Sequence, residues 1–180
     1  DEEVVFDTAT FLMEEVIPDD TDMPEIVWEG HDLSQPFELT DDMFDGDGNF
    51  TSNINLDITS KSAIASVVVK VSSDNADFTK AYSELMPLES DICNGSVSNA
   101  ILKMMGYPTD AKGATSTRIK LASQIEMLTS YEGTHSYEVT VTDVNGRAST
   151  VTLAIKYGQN VAPTIVWVGY DINKQQTYFA

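Results

Sequence analysis

Hydrophobic and polar residues alternate in four stretches of the chain, and this period of two predicts β-strands with one buried face. The stretches are residues 54–58, 67–71, 137–141 and 151–155. Between the last two lie Asn145 and Gly146, a pair that favours the positive φ angles of a tight hairpin turn. The pattern therefore predicts a closing β-hairpin, and a further strand is expected at residues 118–121.

The hydrophobic period changes in the middle of the chain. Apolar residues recur every three or four positions over residues 78–85 and 97–105, which predicts two helices inside an insertion at roughly 75–108. Asp77 and Ser96 are the expected N-caps. Residues 123–126 have capping-box spacing and predict a further short helix. Together these elements predict a mainly β fold: an immunoglobulin-like β-sandwich with a two-helix insertion and a further short helix.

A ten-residue stretch occurs twice in the chain. Residues 24–33 read PEIVWEGHDL, residues 163–172 read PTIVWVGYDI, and six of the ten positions are identical. The offset of 139 residues is one ordinary domain length. We therefore expect an acidic leader or linker over 1–23, one module over 24–160 and the truncated start of a second repeat over 161–180. On this interpretation the chain is a piece of a longer array.

Negative charge dominates the chain and is concentrated at its start. The net charge is −19, and 17 of the 29 acidic residues lie in residues 1–50, which contain no Lys or Arg. Such a field repels nucleic-acid backbones and anionic lipid, so neither is an expected partner. No apolar run approaches the ~18 residues of a spanning helix, so direct membrane insertion is not expected either. The acidic residues form either a solvated leader and face or, in part, a site for a hard cation.

The sequence offers little for catalysis. His31 lies in the repeated stretch but is replaced there by Tyr170, and His135 lies in a polar segment, so both are expected at the surface or in turns. Cys93 has no basic neighbour in the sequence that would activate its thiol. Phosphate-binding loops and hydrolase or metalloprotease motifs are absent from the sequence. We therefore expect a protein that is not an enzyme and that has no cofactor, calcium excepted.

The best metal candidate is the loop that holds Asp45, Asp47 and Asn49. Oxygen-bearing side chains at alternate positions resemble the first half of a calcium-binding loop. The match ends there, because Phe50 stands where a glycine is needed and Leu56 where a glutamate is needed. The alternative is a flexible acidic loop without a metal.

Aromatic rings are the candidates for sugar binding, since their faces stack on the C–H surfaces of pyranoses. The candidates are Trp28, Tyr107, Tyr131, Trp167 and Tyr170. The two tryptophans occupy equivalent places in the repeated stretch, within a predicted strand. The alternative is therefore that they are core or inter-module packing residues.

Two local motifs carry a resemblance to a known class of protein. Residues 139–148, VTVTDVNGRA, resemble the closing hairpin of bacterial Ig-like, PKD-like and cadherin-like surface modules. The repeated Pro-x-Ile-Val-Trp-x-Gly motif, with the strand that leads into helix 124–128, is similar to tandem Ig-like units of Bacteroidetes surface lipoproteins. Those units often precede a domain assigned to carbohydrate metabolism, and they carry no established catalytic residues.

The resemblance implies a carbohydrate-associated, exported protein, anchored to the outer membrane and exposed at the cell surface. Its partners would be neighbouring domains of the same chain and, in one alternative, a glycan. We expect a non-catalytic spacer or interaction unit; the alternative is a carbohydrate-binding module that uses exposed aromatics.

Overall fold

The computed structural model describes residues 22–158, and the account that follows is confined to them. The structure is mainly β, as predicted, with eight strands and three α-helices in this range. The strands are β1 (Glu25–Trp28), β2 (Phe37–Leu39), β3 (Asn55–Thr59), β4 (Ile64–Ser73), β5 (Glu89–Asp91), β6 (Ser116–Lys120), β7 (Gly133–Asp143) and β8 (Ala148–Tyr157). The helices are α1 (Ala76–Leu85), α2 (Asn99–Met104) and α3 (Ala122–Leu128), and a 3₁₀ turn covers Asp41–Met43.

The strands form two sheets that share one core. The first sheet has the order β1-β3-β6 and is antiparallel. The second has the order β2-β8-β7-β4-β5, in which β2 runs parallel to β8 and the other neighbours are antiparallel. Alternate side chains of both sheets are buried in a single hydrophobic cluster, which explains the period of two in the sequence.

The two ends of the module are defined by strand register. Glu25 of β1 pairs with Thr59 at the close of β3, and the short connection 60–63 leads into β4. The β7–β8 turn packs on that connection, where Val144 N–H donates to the Ala63 carbonyl at 2.9 Å. We call residues 22–25, 60–63 and 143–147 the turn end.

The opposite end is where β8 finishes. There Tyr157 pairs with both Leu39 of β2 and Gly133 of β7. We call residues 39–41, 131–134 and 157–158 the far end. The ten residues of β8 make nine steps between the two ends, which is about 30 Å at a strand rise of about 3.3 Å. The chain therefore enters the module at the turn end and leaves it at the far end.

The predicted closing hairpin is confirmed, but its turn differs from the prediction. Of the residues in the turn only Gly146 has a positive φ, +79°, and Asn145 does not. Gly146 N–H donates to the Asp143 carbonyl at 3.0 Å, and Asp143 N–H donates to the Arg147 carbonyl at 2.9 Å. This is a three-residue loop with a glycine bulge, which needs one left-handed residue where the tighter two-residue turn needs two.

The three predicted helices are confirmed, and their N-caps are corrected. Asn75, not Asp77, caps α1, because its side chain accepts the N–H groups of residues 77 and 78. Ser98, not Ser96, caps α2. Helix α3 begins after Leu121 with no side-chain cap, so the capping box is wrong. The insertion also holds the short edge strand β5, whose Glu-Ser-Asp sequence shows no hydrophobic alternation.

A buried polar network joins the inserted helices to α3. The hydroxyl groups of Tyr82 and Tyr107 lie 3.0 Å apart, and Tyr107 donates to Gln124 Oε1 at 3.3 Å. Gln124 Nε2 in turn donates to the Met105 carbonyl at 2.6 Å. Burial raises the pKa of Tyr107 to about 12, so the network is uncharged at neutral pH. It ties the helical insertion to α3.

Candidate functional site

The carboxylate of Asp45, the leading residue of the calcium candidate, is engaged by its own loop. Asp45 Oδ1 accepts the backbone N–H of Asp47 at 2.9 Å and of Asn49 at 2.8 Å. The Asn49 side-chain amide donates to both carboxylate oxygens, at 3.2 and 3.0 Å. The side-chain bond from Asn49, followed by the backbone bonds, holds the pKa of Asp45 below its usual range. Asn49 therefore presents N–H donors to Asp45, whereas calcium needs oxygen ligands.

The same hydrogen-bond pattern recurs in the β7–β8 turn. Asp143 Oδ1 accepts the N–H of Asn145 at 2.9 Å and of Arg147 at 3.0 Å, the same two positions along the chain. In both turns the glycine three residues after the aspartate has a positive φ, +83° at Gly48 and +79° at Gly146. In both, the fifth residue also donates from its side chain to the aspartate, and here Arg147 Nε reaches Asp143 Oδ2 at 2.8 Å.

This recurrence explains the Asp45 loop as a hairpin turn. The residues on either side of it, Phe44 and Phe50, form an antiparallel bridge, and their rings lie 5.5 Å apart. Phe50 N–H also donates to Glu126 Oε1 of α3 at 3.1 Å, which ties the loop to the core. The aspartate and the glycine three residues later are what the turn requires. The Asp-Gly-Asp-Gly-Asn sequence thus forms a hydrogen-bonded turn, and its calcium site stays a prediction.

A wider search for metal ligands gives no alternative site in the same part of the chain. Within residues 22–158, no three or more His, Cys, Asp or Glu side chains are grouped so that they could hold a metal ion. Asp41, next to the candidate loop, accepts a hydrogen bond from the Tyr157 hydroxyl at 3.3 Å.

Two of the candidate sugar-binding rings are buried. Trp28 is 2% exposed and Tyr107 is 3% exposed, so neither presents a ring face to a ligand, and both are corrected to core residues. The Trp28 side chain points inward from β1, and its indole N–H has no partner among the described residues. Tyr131 is half-buried and its ring edge packs on Phe78 with centroids 5.8 Å apart. Trp167 and Tyr170 lie outside the described residues.

His135 is buried, which corrects the expectation of a surface or turn histidine. It lies on β7 with no exposed surface, its Nδ1 is 2.9 Å from Ser73 Oγ, and its Nε2 is 2.9 Å from the Tyr131 carbonyl. The ring packs on Phe78 at 4.5 Å. Desolvation lowers the pKa of His135 against the opposing effect of the carbonyl, so the neutral imidazole is favoured. The signal was present in the sequence, since His135 shares the inward parity of Tyr137.

Asp91, which the sequence did not single out, is a further structural carboxylate. It accepts the Ser66 hydroxyl and the Asn94 amide, both at 2.8 Å, and the Cys93 N–H at 2.9 Å. Burial and the nearby Asp91 charge raise the pKa of the Cys93 thiol, which disfavours the nucleophilic thiolate. The expectation of an inert cysteine agrees with these surroundings.

Comparison with known proteins supplies no relative. No protein-family model matches the chain, and no curated protein and no solved structure matches it significantly. Among the helices of residues 22–158, none combines the length and apolar character needed to cross a membrane.

Proposed function

We propose that this chain contains a non-catalytic immunoglobulin-like module that serves as a spacer or interaction unit of an exported, surface-anchored multi-domain protein. The proposal has two parts, the type of fold and the role. The order of the strands supports the first, and the positions of the chain ends support the second.

The strand order is that expected of an immunoglobulin-like sandwich. The first strand, β1, pairs with β3, and the next strand, β2, joins the other sheet parallel to the last strand, β8. The remaining strands of the second sheet follow as β7, β4 and β5, so that each sheet contains strands from both halves of the chain. Two antiparallel sheets over a common core, with one such crossing near the start, are typical of this class.

The observation that carries the spacer role is the separation of the two chain ends. The chain enters at the turn end and leaves at the far end, about 30 Å away along β8. The second copy of the repeated stretch begins at Pro163, six residues after β8 finishes at Tyr157. Consecutive modules that follow this plan extend in one direction, so each lengthens the protein without folding back on its predecessor.

The mechanical part of the proposal is tested by pulling a single molecule. Tension between residues 22 and 158 pulls the parallel strands β2 and β8 in opposite directions along their axes, so all their bonds are loaded together. Tension between cysteines placed at Ser116 and Val144, both at the turn end, avoids that pair. We expect a clearly higher unfolding force for end-to-end pulling. Equal forces would contradict a load-bearing role.

The binding part is tested on a glycan array with the full chain, in calcium and in chelator. We expect no specific glycan to bind. A glycan that binds to the wild-type chain but not to a Tyr131→Ala variant would replace the spacer with a carbohydrate-binding module, because Tyr131 is the described candidate ring that retains exposed surface. Tyr107→Phe is the control, since its ring is buried.

A further inference from the structure

His135 lies at the centre of a hydrogen-bonded cluster, where the end of β4, the start of α1 and the start of β7 meet. Its Nε2 faces the Tyr131 carbonyl at 2.9 Å, and because a carbonyl can only accept, Nε2 carries the proton. Its Nδ1 faces Ser73 Oγ at 2.9 Å. Ser73 Oγ already accepts the Asn75 N–H at 2.9 Å, so its own hydroxyl proton is directed at Nδ1. The neutral ring, protonated on Nε2, therefore satisfies all of these partners.

The same cluster joins two segments of the chain. Asn75 Nδ2 donates to the Glu132 carbonyl at 2.8 Å, and the Thr134 N–H donates to Asp74 Oδ1 at 2.8 Å. The Asp74 N–H donates in return to the Thr134 carbonyl at 3.2 Å. We call the two segments, residues 73–75 and 131–135, the latch. Because Asn75 is also the N-cap of α1, the latch holds the first turn of that helix as well.

Proton uptake by His135 conflicts with this arrangement. A proton on Nδ1 points at Ser73 Oγ, so the Ser73 hydroxyl must turn away and lose its acceptor. The charged ring would also be enclosed, since His135 has no exposed surface and packs on Phe78 with ring centroids 4.5 Å apart. Burying a charge without a partner is costly. The latch therefore fits the neutral imidazole and not the imidazolium.

The charged surroundings of the ring do not offset this cost. The titratable side chains on the elements around it are Asp74 and Asp77 at the start of α1, Tyr82 within α1, Tyr131 and Glu132 before β7, and Tyr157 of β8. Lys70, Glu138 and Lys156 have the outward parity of their strands. Burial lowers the pKa of His135, and the Tyr131 carbonyl and the Asp74 charge oppose it with smaller effects. The Asp74 carboxylate is itself engaged by the Thr134 N–H.

The latch lies at the edge of the fold, so it can open without separating the sheets. Ser73 and His135 form the last of the nine pairs of the β4–β7 ladder. Asp74 and Glu132, beside this pair, are exposed. Hydrogen bonds at the end of a ladder and close to solvent belong to the parts of a protein that open at low free energy.

We propose that the latch is a pH-sensitive device: when His135 takes up a proton, residues 131–135 separate from residues 73–75 while both sheets stay folded. The opening also frees the N-cap of α1. It lies at the far end, where Gly133 pairs with Tyr157. Acid therefore loosens the end at which the chain leaves the module and does not change the turn end.

The test is amide hydrogen exchange of the full chain by NMR between about pH 7.5 and about pH 5, where carboxylates with an ordinary pKa near 4 stay ionised. Each rate is divided by the intrinsic rate of that amide at that pH. An open latch with an ordinary histidine pKa of about 6.5 gains up to about 30-fold in population at pH 5. We expect the protection of the Asn75 and Thr134 N–H groups to fall about 10- to 30-fold. The N–H groups of Ile64 and Leu121, which bond to carbonyls in other parts of the fold, should keep their protection.

Two variants assign the change to His135. His135→Gln keeps a donor for the Tyr131 carbonyl and an acceptor for Ser73 but takes up no proton, so the latch should stay closed at both pH values. Ser136→Gln is the matched control, because residue 136 has outward parity on β7, and it should keep the loss of protection in acid.

The wild-type chain gives a readout that does not depend on a variant that folds. Long-range ¹⁵N–¹H spectra should show the His135 ring protonated on Nε2 at about pH 7.5, with a titration midpoint below about 6.5. A ring that titrates at or above that value would overturn the proposal.

Three exchange results would also overturn it. The first is unchanged protection of Asn75 and Thr134 at pH 5, and the second is a loss in acid that persists in His135→Gln. The third is a parallel loss at Ile64 and Leu121, which would show that acid opens the whole module.

Discussion

Replacing the aspartate in the Asp45 turn and in the Asp143 turn tests whether burial sets the stability that their shared hydrogen-bond pattern contributes. Asp143 and Asp45 accept the same backbone N–H groups, but Asp143 is 1% exposed, whereas Asp45 lies on an exposed loop. Asp143→Ala removes the acceptor of two N–H groups and the partner of Arg147, whose Nη2 lies 2.7 Å from Asp143 Oδ2. Asp45→Ala removes the equivalent bonds where water can replace them.

The expected loss of stability follows from the ion pair and the two backbone hydrogen bonds that Asp143→Ala removes. Breaking a buried ion pair by removing one partner costs about 3–5 kcal/mol. The Arg147 side chain is 17% exposed and keeps some access to water, so the lower limit applies. We expect Asp143→Ala to lower the free energy of unfolding by about 3 kcal/mol. Asp143→Asn, which keeps an acceptor for the two N–H groups but not the charge, should lose less.

The assay is equilibrium urea unfolding of the full chain, followed by far-ultraviolet circular dichroism at pH 7. Asp45→Ala should shift the midpoint by a small fraction of the shift seen for Asp143→Ala, with an unchanged slope. If Asp45→Ala destabilises the protein as much as Asp143→Ala does, burial does not set the cost and the reasoning fails.

Three further predictions use the same unfolding assay. Because the pKa of His135 is lowered on folding, its contribution to stability is complete above pH ~6.5 and decreases as the pH falls below that value, and His135→Gln should flatten this slope. Calcium at about 5 mM should leave the midpoint unchanged in the wild-type protein, and a stabilisation abolished by Asp45→Ala would restore the metal site. Trp28→Ala should cost about 3–5 kcal/mol against less than about 0.5 kcal/mol for Val27→Ala, and equal losses would place Trp28 outside the core.

Elements that show their buried face as a regular hydrophobic period in their own sequence could be predicted. The β7–β8 hairpin and helix α1 have regular periods because each packs one face on the core along its whole length. Strand β5 could not be predicted, since it is three residues long and is fixed by pairing with Val68–Lys70 of β4. The N-caps were displaced by two residues because Asn75 and Ser98 compete with equally suitable neighbours, and backbone geometry decides between them.

The burial of the candidate aromatic rings could not be predicted from the sequence. Tyr107 lies between Gly106 and Pro108 with no periodic pattern around it, and in the core its hydroxyl group meets Tyr82 and Gln124 from two helices. Contacts of this kind depend on elements 17 and 25 residues away along the chain. Periodicity within a short window does not contain them.

Several aspartates of this acidic chain accept backbone hydrogen bonds within their own turns. Four of them accept the N–H of the residue two positions later at 2.9 Å: Asp32, Asp45, Asp91 and Asp143. The pKa of each lies below its usual range; desolvation opposes the hydrogen bonds at Asp91 and Asp143, and the bonds prevail. Each carboxylate therefore stabilises its turn above pH ~4 and loses that effect as the pH falls through its lowered pKa. The Asp-x-Asp-x-Asn stretch of the Asp45 loop forms such a turn, and its calcium site stays a prediction for the unfolding assay with calcium.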